Sequence, residues 1–187
     1  MKLKVITSNP GKVAEFQEMF GDLGIEMEHA KIPYDEVQTS ELEEVVEKGM
    51  ESLRATGLRD FIIDDSGMFV DALKGFPGVY SAYVQKTVGN DGVLTLMEGV
   101  EDRRAVFKCC IGCDMGGETI IVTGECPGVI LKEARGTEGF GYDPIFSPDG
   151  ESSFAEIPLS KKNEISHRGN AVKLLKEELK ARLEPTT

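Results

Sequence analysis

The sequence has no tryptophan and only two histidines, and aromatic residues make up 7 % of its 187 positions. Basic residues are the minority. There are 21 Lys and Arg against 33 Asp and Glu, a formal net charge of −12, and the pI is near 4.7. Phosphate backbones and anionic membranes need a basic surface, so nucleic acid and membrane are excluded as principal partners. One small polyanion held by a few local lysines is not. No apolar run approaches the ~18 residues of a membrane span. The strand-like Leu3 to Ile6 stands at the very start, so no signal peptide is expected and the cytoplasm is the expected compartment. Cysteine is scarce too, with four residues: Cys109, Cys110, Cys113 and Cys126. Cys110 and Cys113 have a CxxC spacing, but the run from Ala105 to Cys113 reads as a strand, which turns the two side chains to opposite faces. No second CxxC follows, and neither histidine has ligand spacing to these cysteines, so buried structural thiols are expected rather than a metal site.

What is present is the composition of a soluble globular chain, 40 % hydrophobic and 29 % charged. Its length suits a single domain over residues 1–187. Lys2 to Ile6 reads as a buried strand. Asn9 is a plausible N-cap with Pro10 at the first helical position, and Val13, Phe16, Met19, Phe20 and Leu23 follow at helical spacing up to Gly24. Ser40 and Glu43 form a capping-box pattern ahead of a stripe of Leu42, Val45, Val46, Met50 and Leu53. Phe61-Ile62-Ile63 reads as a brief buried strand ending in Asp64-Asp65, with Ser66-Gly67 turning the chain. Asp91 is placed to cap a short helix through Met97. Arg104 to Asp114, Glu118 to Glu125 and Val129 to Glu133 are strand-like runs separated by turn residues, an antiparallel meander. Gly136 to Gly141 is a glycine-rich loop. Ser166 starts a long helix with Val172, Leu175, Leu179 and Leu183 on one face. The fold class is α/β, an elongated mixed sheet flanked by helices, in two lobes with a central cleft.

Three distant segments carry chemistry. Thr7-Ser8-Asn9-Pro10-Gly11-Lys12 joins a strand to a helix start, which presents amide groups, the positive end of a helix dipole and a lysine to phosphates. The alternative is an ordinary strand-to-helix turn. Asp64-Asp65 closes an apolar strand where charge is costly. Adjacent strand residues face opposite sides, so one reaches the cleft and the other caps or pairs, with Asp65 favoured for the cleft. Glu36 is the best second carboxylate for a magnesium ion shared with substrate phosphates, while Glu41, Glu43, Glu44 and Glu47 read as a solvated helical face. Phe140, between two glycines, can lay its ring against a base. Lys161, Lys162, His167 and Arg168 gather positive charge. Cations at the start of the last helix oppose its dipole, a local conflict that points to function.

Thr7 to Lys12, Asp64-Asp65-Ser66-Gly67, Pro77-Gly78, Phe140-Gly141-Tyr142-Asp143-Pro144 and Lys162-Asn163-Glu164-Ile165-Ser166-His167-Arg168 together resemble the inosine triphosphate pyrophosphatase family, the XTP/dITP diphosphatases, from Lys4 to the last helix. The resemblance implies a cytoplasmic, homodimeric, Mg²⁺-dependent enzyme that hydrolyses ITP, dITP and XTP to the monophosphate and pyrophosphate. It implies that Thr7, Ser8, Asn9, Pro10, Gly11 and Lys12 hold phosphates, that Glu36 and Asp65 bind metal, and that Asp65 is also the general base. Ser66, Phe140, Gly141, Tyr142, Asp143, Lys162, His167 and Arg168 would hold substrate, and Lys48 could reach the phosphates. Tyr83 departs from the pattern, because many bacterial relatives carry an arginine there, so a phosphate cation is missing or comes from elsewhere. Rival readings are a related Maf-like pyrophosphatase, a nucleotide sensor without turnover, and a nucleic-acid binder disfavoured by the negative charge.

Overall fold

A computed structural model describes residues 2–21, 25–34 and 37–183. Six strands form one mixed sheet in the order β2-β1-β3-β4-β5-β6. β1 (Lys2–Ile6) is buried and lies between β2 (Glu26–Ala30) and β3 (Phe61–Val70), parallel to both. β4 (Arg104–Met115), β5 (Glu118–Ile130) and β6 (Phe146–Ser147) continue the sheet antiparallel from β3. The helices are α1 (Pro10–Phe20), α2 (Leu42–Ala55), α3 (Ser81–Thr87), α4 (Gly89–Leu96), α5 (Leu159–Ile165) and α6 (His167–Leu183).

Side chains alternate across β1 and β3, and the cores on the two faces follow that period of two. Leu3, Val5, Ile62, Cys109, Ile111 and Cys113 pack under α1 and α6, against Phe16, Phe20, Val172, Leu175 and Leu179. Ile6, Phe61, Ile63 and Cys110 pack on the other face under α2, against Leu42, Val46, Met50 and Leu53. A further cluster, built on Met68, Phe107, Tyr142, Phe146 and Phe154, fills the far lobe. The cysteines are buried free thiols. Cys110 and Cys113 face opposite cores as the strand period requires, and burial pushes both thiols up to about 12.

Topology makes the cleft. The chain leaves β1 through α1 to reach β2 on one side, then returns through α2 on the opposite face to β3 on the other side. Strand order therefore reverses at β1. Beyond the C-terminal ends of strands at such a reversal the flanking loops diverge and leave a crevice. β3 pairs with β1 only at Phe61 and Ile62, then runs on beside β4 as far as Val70.

Several local expectations are corrected. The strand does not end at Asp64-Asp65, and Ser66-Gly67 does not turn, because both residues continue the ladder opposite Cys109 and Lys108. Pairing with β4 supplies the backbone partners that make extension favourable. Glu118 to Ile130 is one strand, and Pro127-Gly128 sits within it opposite Val106 and Ala105. The Ser40–Glu43 capping box does not form. The N-cap is Glu41, the Thr39 hydroxyl bonds Glu44, and Glu43 accepts from Thr123 Oγ1 at 2.6 Å. Leu23, Gly24 and Glu36 lie outside the described residues.

Gly67 is buried in β3 where a Cβ would run into the carbonyl oxygen of Gly78. Gly67→Ala should therefore destabilise the protein by ~2 kcal/mol through overpacking. Thermal unfolding should show a midpoint lowered by about 4–8 °C.

Candidate functional site

Asn9 caps α1, its side chain accepting from the Gly11 amide at 2.9 Å, while the Asn9 amide donates to Thr7 Oγ1 at 3.1 Å. The loop is anchored to the sheet edge by the Thr7 amide donating to the Ala30 carbonyl and by His29 Nε2 against the Thr7 carbonyl at 2.8 Å. This fixes Lys12 in the first turn of α1, reaching across to β3. Its Nζ lies 3.0 Å from Asp64 Oδ2 and donates to the Asp64 carbonyl at 3.3 Å.

Asp64 is the centre of a buried chain of alternating charge. Its Oδ2 accepts from Arg168 Nε at 3.2 Å and Nη2 at 3.0 Å. Arg168 Nη2 also donates to Ser66 Oγ at 3.0 Å, and Nη1 bonds Glu15. Glu15 accepts from Lys162 Nζ at 2.8 Å, and Lys162 reaches Asp143 at 2.7 Å. Arg168 is 1 % exposed, Glu15 1 % and Lys162 2 %. Burial alone would make the Asp64 and Glu15 carboxyls hard to ionise. The facing cations outweigh it, Lys12 and Arg168 at Asp64 and Arg168 and Lys162 at Glu15, and both carboxyls are held below their ordinary range. Asp143 goes the other way: burial raises it, and Lys162 opposes this only in part.

The segment from Phe140 to Asp143 is built on the same chain of charges. Asp143 accepts from the Phe140 amide at 2.9 Å, which orients the loop. The Phe140 ring lies beneath two cations, with Lys162 Nζ 4.7 Å and Arg168 Cζ 6.0 Å from its centroid. The close approach that Gly11 permits is to this ring, because a Cβ on Gly11 would overlap Phe140. The Gly141 carbonyl accepts from Gln85 Nε2 at 3.2 Å and Asn90 Nδ2 at 3.1 Å, tying the loop to α3 and α4. Tyr142 is 5 % exposed in the far core and donates to the Ser81 carbonyl at 2.7 Å. Ser166 caps α6 by accepting from the Gly169 amide. His167 is buried, stacked on Phe107 at 4.5 Å and 9°, with Nδ1 unpartnered.

A cleft of about 900 Å³ opens beside this chain, lined by Thr7, Ser8, Lys12, Asp64, Asp65 and Tyr83 among others. Asp65 is half-buried at its wall. Lys48 is not on it; on the exposed side of α2 it pairs with Glu51 at 2.8 Å. A second concavity of about 620 Å³ lies against α4, but its half-buried cation Arg103 is engaged by the carbonyls of Met97, Val100, Ile130 and Leu131. Among the described residues no group of three or more His, Cys, Asp and Glu could hold a metal on protein ligands alone. The donors present fit a hard cation shared with substrate: Asp65 faces the cleft, and the buried Asp64 Oδ1 has no hydrogen-bond partner. Glu15 was not foreseen from sequence. Its signal is its place one turn after Lys12, next to the buried Phe16.

Residues 3–178 match the model of the Ham1 family. The chain belongs to the Ham1 family. It is 50 % identical over 184 residues to the dITP/XTP pyrophosphatase of Pyrococcus horikoshii, covering 98 % of this chain and 99 % of that one. To the dITP/XTP pyrophosphatase of Thermococcus kodakarensis it is 50 % identical over 185 residues, covering 96 % and 100 %. The Ham1 protein of Staphylococcus aureus superposes with a TM-score of 0.82 at 29 % identity, covering 97 % of this chain and 100 % of that one. The mixed sheet and its flanking helices are thus the architecture of Ham1 family members.

Two predictions come from the buried charges. Asp64→Asn leaves Lys12 without its counter-charge and Arg168 with Glu15 alone, and should cost about 3 kcal/mol or more, read from chemical denaturation. His167 is held well below 6.5 by burial, with Arg168 adding to it, so the folded protein keeps the ring neutral while the unfolded chain takes up a proton near pH 6.5. Stability should therefore fall as pH drops below about 6.5, by at most ~1.4 kcal/mol per pH unit. Unfolding curves of His167→Phe between pH 7 and 5 should show a flatter slope than those of the wild type.

Proposed function

We propose that this protein hydrolyses the non-standard purine nucleoside triphosphates dITP, ITP and XTP to the monophosphate and pyrophosphate, with Mg²⁺. Its class, a nucleoside triphosphate pyrophosphohydrolase, is that of the relatives it matches over nearly its whole length. The observation that carries the reading is the convergence of Lys12 and Arg168 on Asp64, with Asp65 beside it opening into a cleft headed by the start of α1.

In this reading the Thr7 and Ser8 hydroxyls, Lys12 and the positive end of α1 receive the phosphates, with Asn9, Pro10 and Gly11 shaping the loop. Asp65, aided by the free Asp64 Oδ1 and by Glu36, would hold the magnesium ion. Bound there, the ion neutralises phosphate charge and acidifies water. A water oxygen attacks the α-phosphorus, the bond to the bridging oxygen breaks, and pyrophosphate leaves. Asp65 takes the water's proton on a carboxylate oxygen, and Lys12 offsets charge on the departing group. Asp64, held ionised by Lys12 and Arg168, keeps both cations in place rather than moving a proton. At the base end, the Phe140 ring supplies a stacking face, with Lys162 and Arg168 behind it. Donors on this side favour the 6-oxo group of hypoxanthine and xanthine over the 6-amino group of adenine, and a mismatch with buried donors can cost orders of magnitude. A cytoplasmic homodimer belongs to the same reading. No helix among the described residues is long and apolar enough to cross a membrane.

Asp65→Asn should reduce kcat for XTP by about 10²-fold or more while leaving a melting temperature close to that of the wild type. Activity near the wild-type level would remove Asp65 from the chemistry. Chelation of Mg²⁺ should stop turnover and its return restore it. Product analysis should find pyrophosphate, and orthophosphate as the main product would move the attack to another phosphorus.

A further inference from the structure

The buried charges beside the cleft leave no positive charge to spare. Lys12, Arg168 and Lys162 are matched within the buried chain by Asp64, Glu15 and Asp143. Asp65 adds a further carboxylate at the wall, and the whole molecule carries −12. A triphosphate brought into such a site meets a locally neutral or negative field, which a divalent ion relieves only in part. The remaining attraction must come from cations on the cleft wall that no carboxylate already neutralises.

Two lysines fit that description. Lys31 and Lys86 both line the cleft and are solvent-exposed, and among the described residues neither makes an ion pair or hydrogen bond. They come from opposite sides. Lys31 follows the last residue of β2, where the register Ile6↔Ala30 and the Thr7 amide bonded to the Ala30 carbonyl hold it beside the phosphate-loop segment. Lys86 lies on α3, one turn after Tyr83. The helix start is fixed by Ser81 Oγ, which donates to the Gly78 carbonyl and accepts from the Met68 amide. Both side chains are thus free at the tip and rigidly based at the backbone. A flexible ammonium on a fixed stem suits a point-charge contact to phosphate oxygens.

We propose that Lys31 and Lys86 are phosphate-binding residues that flank the triphosphate from the two walls of the cleft and supply the positive charge its buried end lacks. The inference rests on the substrate class argued above. Exposed cations act through a screened field, so their contribution should weaken as salt rises.

The test uses Lys31→Gln, Lys86→Gln, the double variant and Lys86→Arg, with Lys48→Gln as a control whose lysine lies off the cleft. Steady-state rates with XTP are measured beside calorimetric binding of inorganic triphosphate, both with Mg²⁺. Each glutamine variant should raise KM for XTP and weaken triphosphate binding about tenfold, and the double variant more. Lys86→Arg should restore most of the binding, Lys48→Gln should match the wild type, and the losses should shrink at high salt. A double variant within twofold of the wild type in KM and in triphosphate affinity overturns the proposal, as does a wild type that fails to bind triphosphate. If the wild type binds triphosphate through these lysines but does not turn over XTP, the substrate assignment falls and the phosphate site stands.

Discussion

Six charged side chains in an unbroken order, Lys12, Asp64, Arg168, Glu15, Lys162 and Asp143, connect the first helix, the third strand, the loop from Phe140 to Asp143 and the last two helices. Removing ions from water costs several kcal/mol each, and only close opposite charges with good geometry compensate. A partial chain would be worse than none, because each member left alone is a buried unpaired charge. The segments that carry these residues are therefore constrained to arrive together. The loop from Thr7 to Lys12 cannot drift from Asp64 without breaking the Lys12 pair, and the loop from Phe140 to Asp143 cannot drift from Lys162 without orphaning Asp143.

That constraint explains how a mostly acidic molecule holds three buried cations, each matched by a carboxylate. Arg168 sits in the first turn of α6, where the dipole disfavours it. Carboxylates on other elements compensate. The same carboxylates keep the cations deep and oriented, while Asp65, one residue on from Asp64, is half-buried at the cleft wall and belongs to none of these ion pairs. The two neighbouring aspartates thus differ in burial, Asp64 being enclosed among cations and Asp65 half-exposed at the cleft.

Regular elements with strong periodicity were legible in the chain itself. Asn9-Pro10 marked the start of α1, the stripe from Leu42 to Leu53 marked α2, and Val172, Leu175 and Leu179 marked α6. β2 was not legible, because Glu26-Met27-Glu28-His29-Ala30 is a largely exposed edge strand with little apolar patterning. α5 was hidden for the opposite reason: its Lys162 and Asn163 are buried, so its inward face reads as polar. β3 was read too short, since carboxylates inside a central strand contradict local propensity. Cations from distant elements resolve that contradiction.

The chain alone determined the strongly periodic helices α1, α2 and α6, the opposed facing of Cys110 and Cys113, and the residue types of the three segments that meet around Asp64, because these depend on local periodicity and on residue types within a few positions. Only the tertiary structure decided that Glu15 is a member of the site, that the space at Gly11 accommodates Phe140, that Lys48 points away from the cleft and that Lys31 and Lys86 point into it. Those facts depend on contacts between residues far apart in sequence, and electrostatic pairing in a low-dielectric interior is set by distance in space rather than along the chain.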